Sequence, residues 1–186
     1  MNPDITIEVA TINGSGSQSA NMILAKTFFR LGYSVGAKNL FPSNIAGLAT
    51  WFSTRVNTSG FTSRKILADI YVSKNPATAL DDLKKVTING LFFYDAESAH
   101  NFNELRSDVT CIALPYRELV QNISTSIKMK KFLTNMIYVG VLAEILNLDH
   151  AMMSKVVADQ FSGKPDVLVL NQNAIDEGRK YARENL

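Results

Sequence analysis

Apolar residues fall into two periodicities along this chain, and the order in which they alternate predicts an α/β fold. Residues 5–12 are β-rich and stop at Asn13-Gly14-Ser15-Gly16, so a strand is expected to run into a glycine loop. From Ser17 the spacing becomes helical. Met22, Ala25, Phe28 and Phe29 share one face, and Gly32 closes the run. A strand over 33–40 follows almost at once, giving a βαβ unit whose crossover is expected to be right-handed. Pro42 and Gly47 break any ladder and predict a loop over 41–47, before a strand at 51–56.

Residues 65–72 hold a short apolar segment, Asp69-Ile70-Tyr71-Val72. A helix is expected from Asn75-Pro76 through Leu80, Leu83 and Lys84, then an Asn89-Gly90 turn into a strand at 91–94. Another strand at 110–114 is stopped by Pro115. The remainder reads as helices over 131–148, 149–161 and 166–185, the second with Asp149 as its acidic cap. Strands alternating with helices predict a three-layer, Rossmann-like α/β domain. Its sheet should be mostly parallel with helices on both faces, and its C-terminal third helical. No repeat or linker divides the chain, so residues 1–186 are expected to form one domain.

Composition narrows the function. The chain has 186 residues, 46% of them hydrophobic and 19% charged, with a net charge of +2, so it can bury its own core. No basic stripe points to a nucleic-acid partner. The most apolar stretch, 136–148, is too short to cross a membrane and carries Glu144. The N-terminal residues lack a signal-peptide pattern, and a cytoplasmic location is expected. The single cysteine, Cys111, lies in an apolar strand as a small buried residue, and one thiol cannot hold an iron–sulfur cluster. His100 and His150 have no partner at metal-ligand spacing, so no metal site is expected. Asp95 and Glu97 follow a strand but have no assignable partner, and no catalytic residue is identified.

Two loops offer chemistry. Gly14, Gly16, Ser17 and Gln18 stand between the first strand and first helix, where free amides and the helix dipole favour a phosphate or carboxylate. The dinucleotide pattern is incomplete, with Ser19 in place of its third glycine and Lys38-Asn39 where an acidic residue belongs. A tight turn with Ser17 as N-cap explains the same residues, and both readings stay open. The second loop supplies Ser43 and Asn44 as hydrogen-bonding groups and Ile45, Leu48 and Trp51 as an apolar surface. Trp51 and Phe52 alternate on a strand, so at least one of them is also expected in the core. Both loops should lie at the carboxyl edge of the sheet, where α/β proteins bind ligands.

The order of these motifs resembles the gamma domain, or gamma subunit, of the 2-oxoacid:ferredoxin oxidoreductases. Gly14, Gly16 and Gln18 match the family's opening Gly-x-Gly-Gly-Gln-Gly, with Ser17 and Ser19 replacing glycines. Pro42, Ser43, Ile45, Gly47, Trp51, Phe52, Arg55 and Val56 match its Tyr-Pro-Ser-x-Ile-Arg-Gly-Gly and Trp-Phe-x-x-Arg-Val segments. Asn44, Ala46 and Leu48 replace two arginines and a glycine there, which removes the bidentate anion partners. Ala68-Asp69-Ile70 and Gly90 to Asp95 resemble its strands. Asn135, Met136 and Gly140 resemble its Asn-Met-x-x-x-Gly helix, and Phe161, Gly163, Lys164, Asn171, Ala174 and Gly178 its closing motifs.

The resemblance implies a non-catalytic gamma component in an enzyme that oxidatively decarboxylates a 2-oxoacid to an acyl-CoA. It leans to the 2-oxoglutarate type over pyruvate or branched-chain types. Thiamine diphosphate and iron–sulfur clusters would reside in the alpha, beta or ferredoxin-like partners, with coenzyme A as co-substrate and none bound by this chain alone. Gly14 to Gln18, Ser43, Asn44 and Gly47 would form a ligand or interface loop, and Ile45, Leu48, Arg55 and Asn135 an interface. Self-association into a homo-oligomer is left open. The rival reading is a stand-alone α/β module that holds a small phosphate-bearing ligand at residues 14–19.

Overall fold

A computed structural model describes residues 4–41, 47–124 and 126–186. The chain divides into two compact units, one of Met1–Ser15 with Tyr33–Pro115 and one of Gly16–Gly32 with Tyr116–Leu186.

The first unit holds a six-stranded sheet built from β1 (Asp4–Ile12), β2 (Ser34–Leu40), β3 (Ala49–Asn57), β4 (Ala68–Ser73), β5 (Val86–Asp95) and β6 (Thr110–Leu114). Their order across the sheet is β2-β3-β1-β4-β5-β6. The β1–β4, β4–β5 and β5–β6 pairs are parallel, while β3 is antiparallel to both β1 and β2. Five strands therefore share one direction, and the sheet is mostly parallel as expected.

β1 and β2 run parallel, as in the βαβ reading, with one strand inserted between them. That strand is β3, hydrogen-bonded to both. Burial explains the choice. β3 is buried at most positions, whereas no residue of β2 is buried and Lys38 is exposed on the sheet edge, where a charge discourages further pairing. β1 is central and buried over almost its full length.

Two local signals also resolve differently. Asn89-Gly90 does not start a strand but interrupts one. The β4–β5 register passes from Ala68↔Val86 to Ile70↔Leu91, leaving extra residues bulged out of β5. Asn89 adopts φ 61°, and a Cβ at Gly90 would stand 2.9 Å from the Asp69 and Thr87 carbonyl oxygens. The helix expected from Asn75 shrinks to α2 (Ala79–Leu83). Asn75 instead closes a turn, its Oδ1 accepting the Ala77 amide at 3.2 Å. The short α3 (Phe102–Leu105) carries too few residues to show a helical period. Tyr71, Phe92 and Phe102 centre the core of this unit, with Ala10, Leu83 and Val86 around them.

The second unit is helical: α1 (Ser17–Arg30), α4 (Tyr116–Val120), α5 (Ile127–Ile145), α6 (His150–Gln160) and α7 (Pro165–Asn185). α5 starts a turn earlier than its apolar spacing predicts, because Ser126 caps it by accepting the Met129 amide at 3.3 Å. Asp149 caps α6 as expected, accepting the Met152 amide at 2.6 Å. α5 and α7 meet through two glycines. A Cβ at Gly140 would strike the Ile175 carbonyl, and one at Gly178 the Ile137 carbonyl. Backbone-to-backbone approach, not flexibility, is what those positions require.

Candidate functional site

The carboxyl ends of the parallel strands collect the polar loops of the first unit. β1 ends at Ile12, opposite Ala49 of β3. The Asn13 amide donates to the Leu48 carbonyl at 2.8 Å, and the Gly47 amide donates to the Asn13 carbonyl at 3.1 Å. These bonds tie the start of the glycine loop to the end of the second loop. Gly47 has φ 91° and Leu48 is 42% exposed. Ser43, Asn44 and Ile45 lie outside the described residues.

Both loop glycines are left-handed, yet for different reasons. Gly14 has φ 89°, and a Cβ there would meet nothing within 4 Å, so only its backbone angle demands glycine. Gly16 has φ 79° and caps α1, and there a Cβ would come 2.5 Å from Cδ1 of Phe132. Packing within the second unit therefore restricts Gly16 without any ligand. The cap itself is Gly16, without a side-chain cap hydrogen bond. Ser17, expected as N-cap, is buried as the first residue of α1, and Gln18 is exposed.

The remaining expected site residues are dispersed. Arg55 sits toward the opposite edge of the sheet, opposite Thr6, and grips Asp4 with Nε–Oδ1 at 2.8 Å and Nη2–Oδ2 at 2.9 Å. That pairing, with Lys65 Nζ 3.2 Å from Oδ2, holds the Asp4 carboxyl at about 2, well below the ordinary range. Asn135 is buried within α5 of the second unit. His150 is exposed and pairs with Asp176 at 2.9 Å. Burial raises the Cys111 thiol. Among the described residues no three His, Cys, Asp or Glu side chains cluster as metal ligands do. One thiol likewise does not fit an iron–sulfur cluster.

Two residues that sequence reasoning missed stand at or behind a cavity at this edge. Lys74 follows the last residue of β4 and donates its amide to the Ala10 carbonyl of β1 at 2.9 Å. It lines a cavity of about 250 Å³ with Asn75, Tyr94, Asp95, Glu97, Ser98 and Phe102. Lys74 as a whole is half-buried, but burial of its amine pushes the pKa down to about 7, with Asp95 opposing. Its place straight after an apolar strand was the available signal.

Asp82 is the second. It is fully buried behind the cavity wall. Its Oδ1 accepts Trp51 Nε1 at 2.9 Å and the Tyr71 hydroxyl at 2.8 Å. Its Oδ2 accepts the hydroxyls of Ser73 at 3.1 Å and Thr78 at 2.8 Å. Lys85 Nζ stands 3.8 Å from Oδ1 and lies over the Trp51 ring. Trp51 is thus half core and half polar anchor, while Phe52 is core.

Comparison with known proteins places this geometry. A family model described as pyruvate ferredoxin/flavodoxin oxidoreductase matches residues 6–181. The alpha subunit of 2-oxoacid:ferredoxin oxidoreductase 2 from Aeropyrum pernix is 21% identical over 219 residues, spanning 97% of this chain and 34% of that subunit. A structure of 2-oxoglutarate:ferredoxin oxidoreductase from Magnetococcus marinus, with 2-oxoglutarate, coenzyme A and succinyl-CoA bound, superposes with a TM-score of 0.83. The identity is 23%, over 98% of this chain and 32% of that one. The chain thus spans about a third of both relatives. A pyruvate oxidoreductase subunit from Thermotoga maritima gives a TM-score of 0.74 at 14% identity, covering 95% of this chain and 96% of that one. The gamma subunit of a keto/oxoacid ferredoxin oxidoreductase from Geobacter sulfurreducens gives 0.73 at 13%, covering 97% and 99%. At these identities the structural likenesses establish the fold.

Proposed function

The chain belongs to the pyruvate ferredoxin/flavodoxin oxidoreductase family, and from that premise we propose that it is the non-catalytic gamma component of a 2-oxoacid:ferredoxin oxidoreductase. One observation carries the reading. The chain covers nearly all of two separate subunits, one of them a gamma subunit, but only a third of the longer relatives. In this reading it is one component among several, a single gamma-type domain in the cytoplasm.

In this reading the partners are alpha and beta components, with a ferredoxin-like part where the complex has one. The enzyme oxidatively decarboxylates a 2-oxoacid, 2-oxoglutarate being favoured, and forms an acyl-CoA. Thiamine diphosphate, held by the partners, supplies the decarboxylation, and iron–sulfur clusters there carry the electrons. This chain contributes a docking face. Residues 13–15 and 47–48, hydrogen-bonded into one rim, support closure over coenzyme A. Loss of the family arginines at Asn44 and Ala46 makes that closure depend on backbone amides and glycine conformation more than on cationic side chains.

The test is reconstitution. The purified chain alone should show no 2-oxoacid-dependent reduction of a viologen dye, and co-purified alpha and beta components should restore it in a coenzyme A-dependent manner. Stoichiometric thiamine diphosphate or iron on the lone chain refutes the proposal. Calorimetry with coenzyme A separates the rival: tight binding by the isolated chain favours a stand-alone module at residues 14–19.

A further inference from the structure

Residues 58–67 form neither helix nor strand, yet side chains pin them over the outer strands of the sheet. Arg55 Nη1 donates to the Ser63 carbonyl at 2.9 Å, Lys65 Nζ donates to the Asp4 carbonyl at 2.7 Å, and Arg64 Nη2 donates to Glu8 Oε1 at 2.9 Å. Gly36 permits the crossing, because a Cβ there would strike the Thr62 carbonyl. A cleft of about 470 Å³ lies between this segment and the strands. Gly36, Lys38 and Leu40 of β2 and Ser53 of β3 line one side, and residues 62–64 the other.

Strand register sorts the charges along this cleft. Lys38 stands opposite Ser53, and Ser53 opposite Glu8, so the three form one row on one face of the sheet. Asp4 is matched by Arg55 and Lys65, Glu8 by Arg64, and Asp82 by Lys85. Lys38 has no such match, since no side chain among the described residues pairs with its ammonium. Arg64 keeps N–H groups beyond the one given to Glu8. Ser53 is buried, and its hydroxyl feels the Glu8 carboxylate yet meets no partner at hydrogen-bond geometry. An unmatched ammonium, spare guanidinium donors and a buried hydroxyl converge on a place suited to an anionic acceptor.

We propose that this cleft binds a small organic monocarboxylate, with its carboxylate between Lys38 and Arg64 and its carbon chain along Leu40. The site stands apart from the gamma-component reading, and neither depends on the other. Glu8 sets the selectivity. Arg64 offsets Glu8, so Lys38 leaves the cleft about one positive charge in excess, which a single carboxylate neutralises. A dianion brings a second negative charge toward Glu8 with no cation left to offset it. Burial raises the Glu8 carboxyl and Arg64 opposes that rise, so the carboxylate and the guanidinium hold each other in place.

The experiment titrates the full, nitrogen-15-labelled chain with propanoate or malonate at neutral pH and constant ionic strength, following backbone amides by NMR. Propanoate should give saturable shifts confined to residues 36–40, 53 and 62–64. Malonate should bind at least about threefold more weakly. Lys38→Gln should weaken propanoate at least about fivefold, whereas Lys38→Arg keeps the charge and should stay within about twofold of wild type. Glu8→Gln leaves Arg64 an acceptor but removes the opposing charge, so propanoate should bind at least about threefold tighter. Lys38 is exposed, so its variants should keep the wild-type circular dichroism spectrum. If Lys38→Gln does not fold, the wild-type titrations and Glu8→Gln decide the matter. Propanoate shifts that never saturate or scatter over the surface overturn the site, as does Lys38→Gln binding as tightly as wild type. Malonate binding as tightly as propanoate, or Glu8→Gln leaving the affinity unchanged, overturns its charge selectivity.

Discussion

Replacing Asp82 tests whether its hydrogen bonds hold the ends of β3 and β4 in place. The carboxylate is inaccessible to water and accepts four side-chain hydrogen bonds, from Trp51, Tyr71, Ser73 and Thr78. Asp82→Ala strands all four donors. Hydrogen bonds to a charged group contribute about 1.5–3 kcal/mol each, but the losses are not additive because the hydroxyls can turn elsewhere. The expected destabilisation is about 4 kcal/mol, the range seen when one member of a buried polar set is removed. Asp82→Asn should behave differently. An amide with Oδ1 toward Trp51 and Tyr71 and Nδ2 toward the two hydroxyls keeps every pair, since Ser and Thr oxygens also accept.

A cost of about 1 kcal/mol is expected for Asn, against about 10 °C in melting temperature for Ala at roughly 2–4 °C per kcal/mol. Trp51 is the chain's single tryptophan, so its fluorescence reports both the urea transition and the state of the indole bond. In the alanine variant the emission of the folded protein should change even before unfolding begins. Asp82→Ala within 1 kcal/mol of wild type, or Asn as damaging as Ala, would refute this account of the network.

At the glycine loop, Gly14→Ala should cost about 1 kcal/mol from its left-handed backbone alone. Gly16→Ala should cost about 1 kcal/mol more because of the Phe132 ring, and that excess should vanish in a Phe132→Ala background when the four proteins are compared by urea denaturation. At the opposite edge, the Asp4 carboxyl should titrate at about 2 by NMR and rise part of the way to the ordinary range in Arg55→Ala, because Lys65 remains 3.2 Å away. Its folded value lies below the unfolded one, so the pair's contribution to stability is present above the unfolded pKa and is lost as pH falls through about 2. A wild-type titration near 4 contradicts the bidentate geometry.

Much of the candidate site was legible because backbone conformation is a local matter. The glycines at 14, 16 and 47 all adopt positive φ, and the glycine loop follows a strand and opens a helix as its residues predict. Gly140 and Gly178 stood out only through a family resemblance. Their physical reason, two backbones in contact between α5 and α7, needed the packed helices. Lys74 and Asp82 carried no sequence motif at all. Asp82 draws its donors from positions 51, 71, 73 and 78, and Lys74 owes its weak basicity to what encloses it.

By itself, then, the sequence determined the six strands in outline and the long helices, which faces are apolar, and that one thiol cannot carry a cluster. Each of those follows from periodicity or from counting. Only the tertiary structure decided that β3 enters between β1 and β2, that Asn89-Gly90 bulges inside β5, and that burial weakens the basicity of Lys74 against the opposing charge of Asp95. Strand partners and pKa values are set through space by groups distant in the chain, whereas periodicity records only which side of an element turns from water.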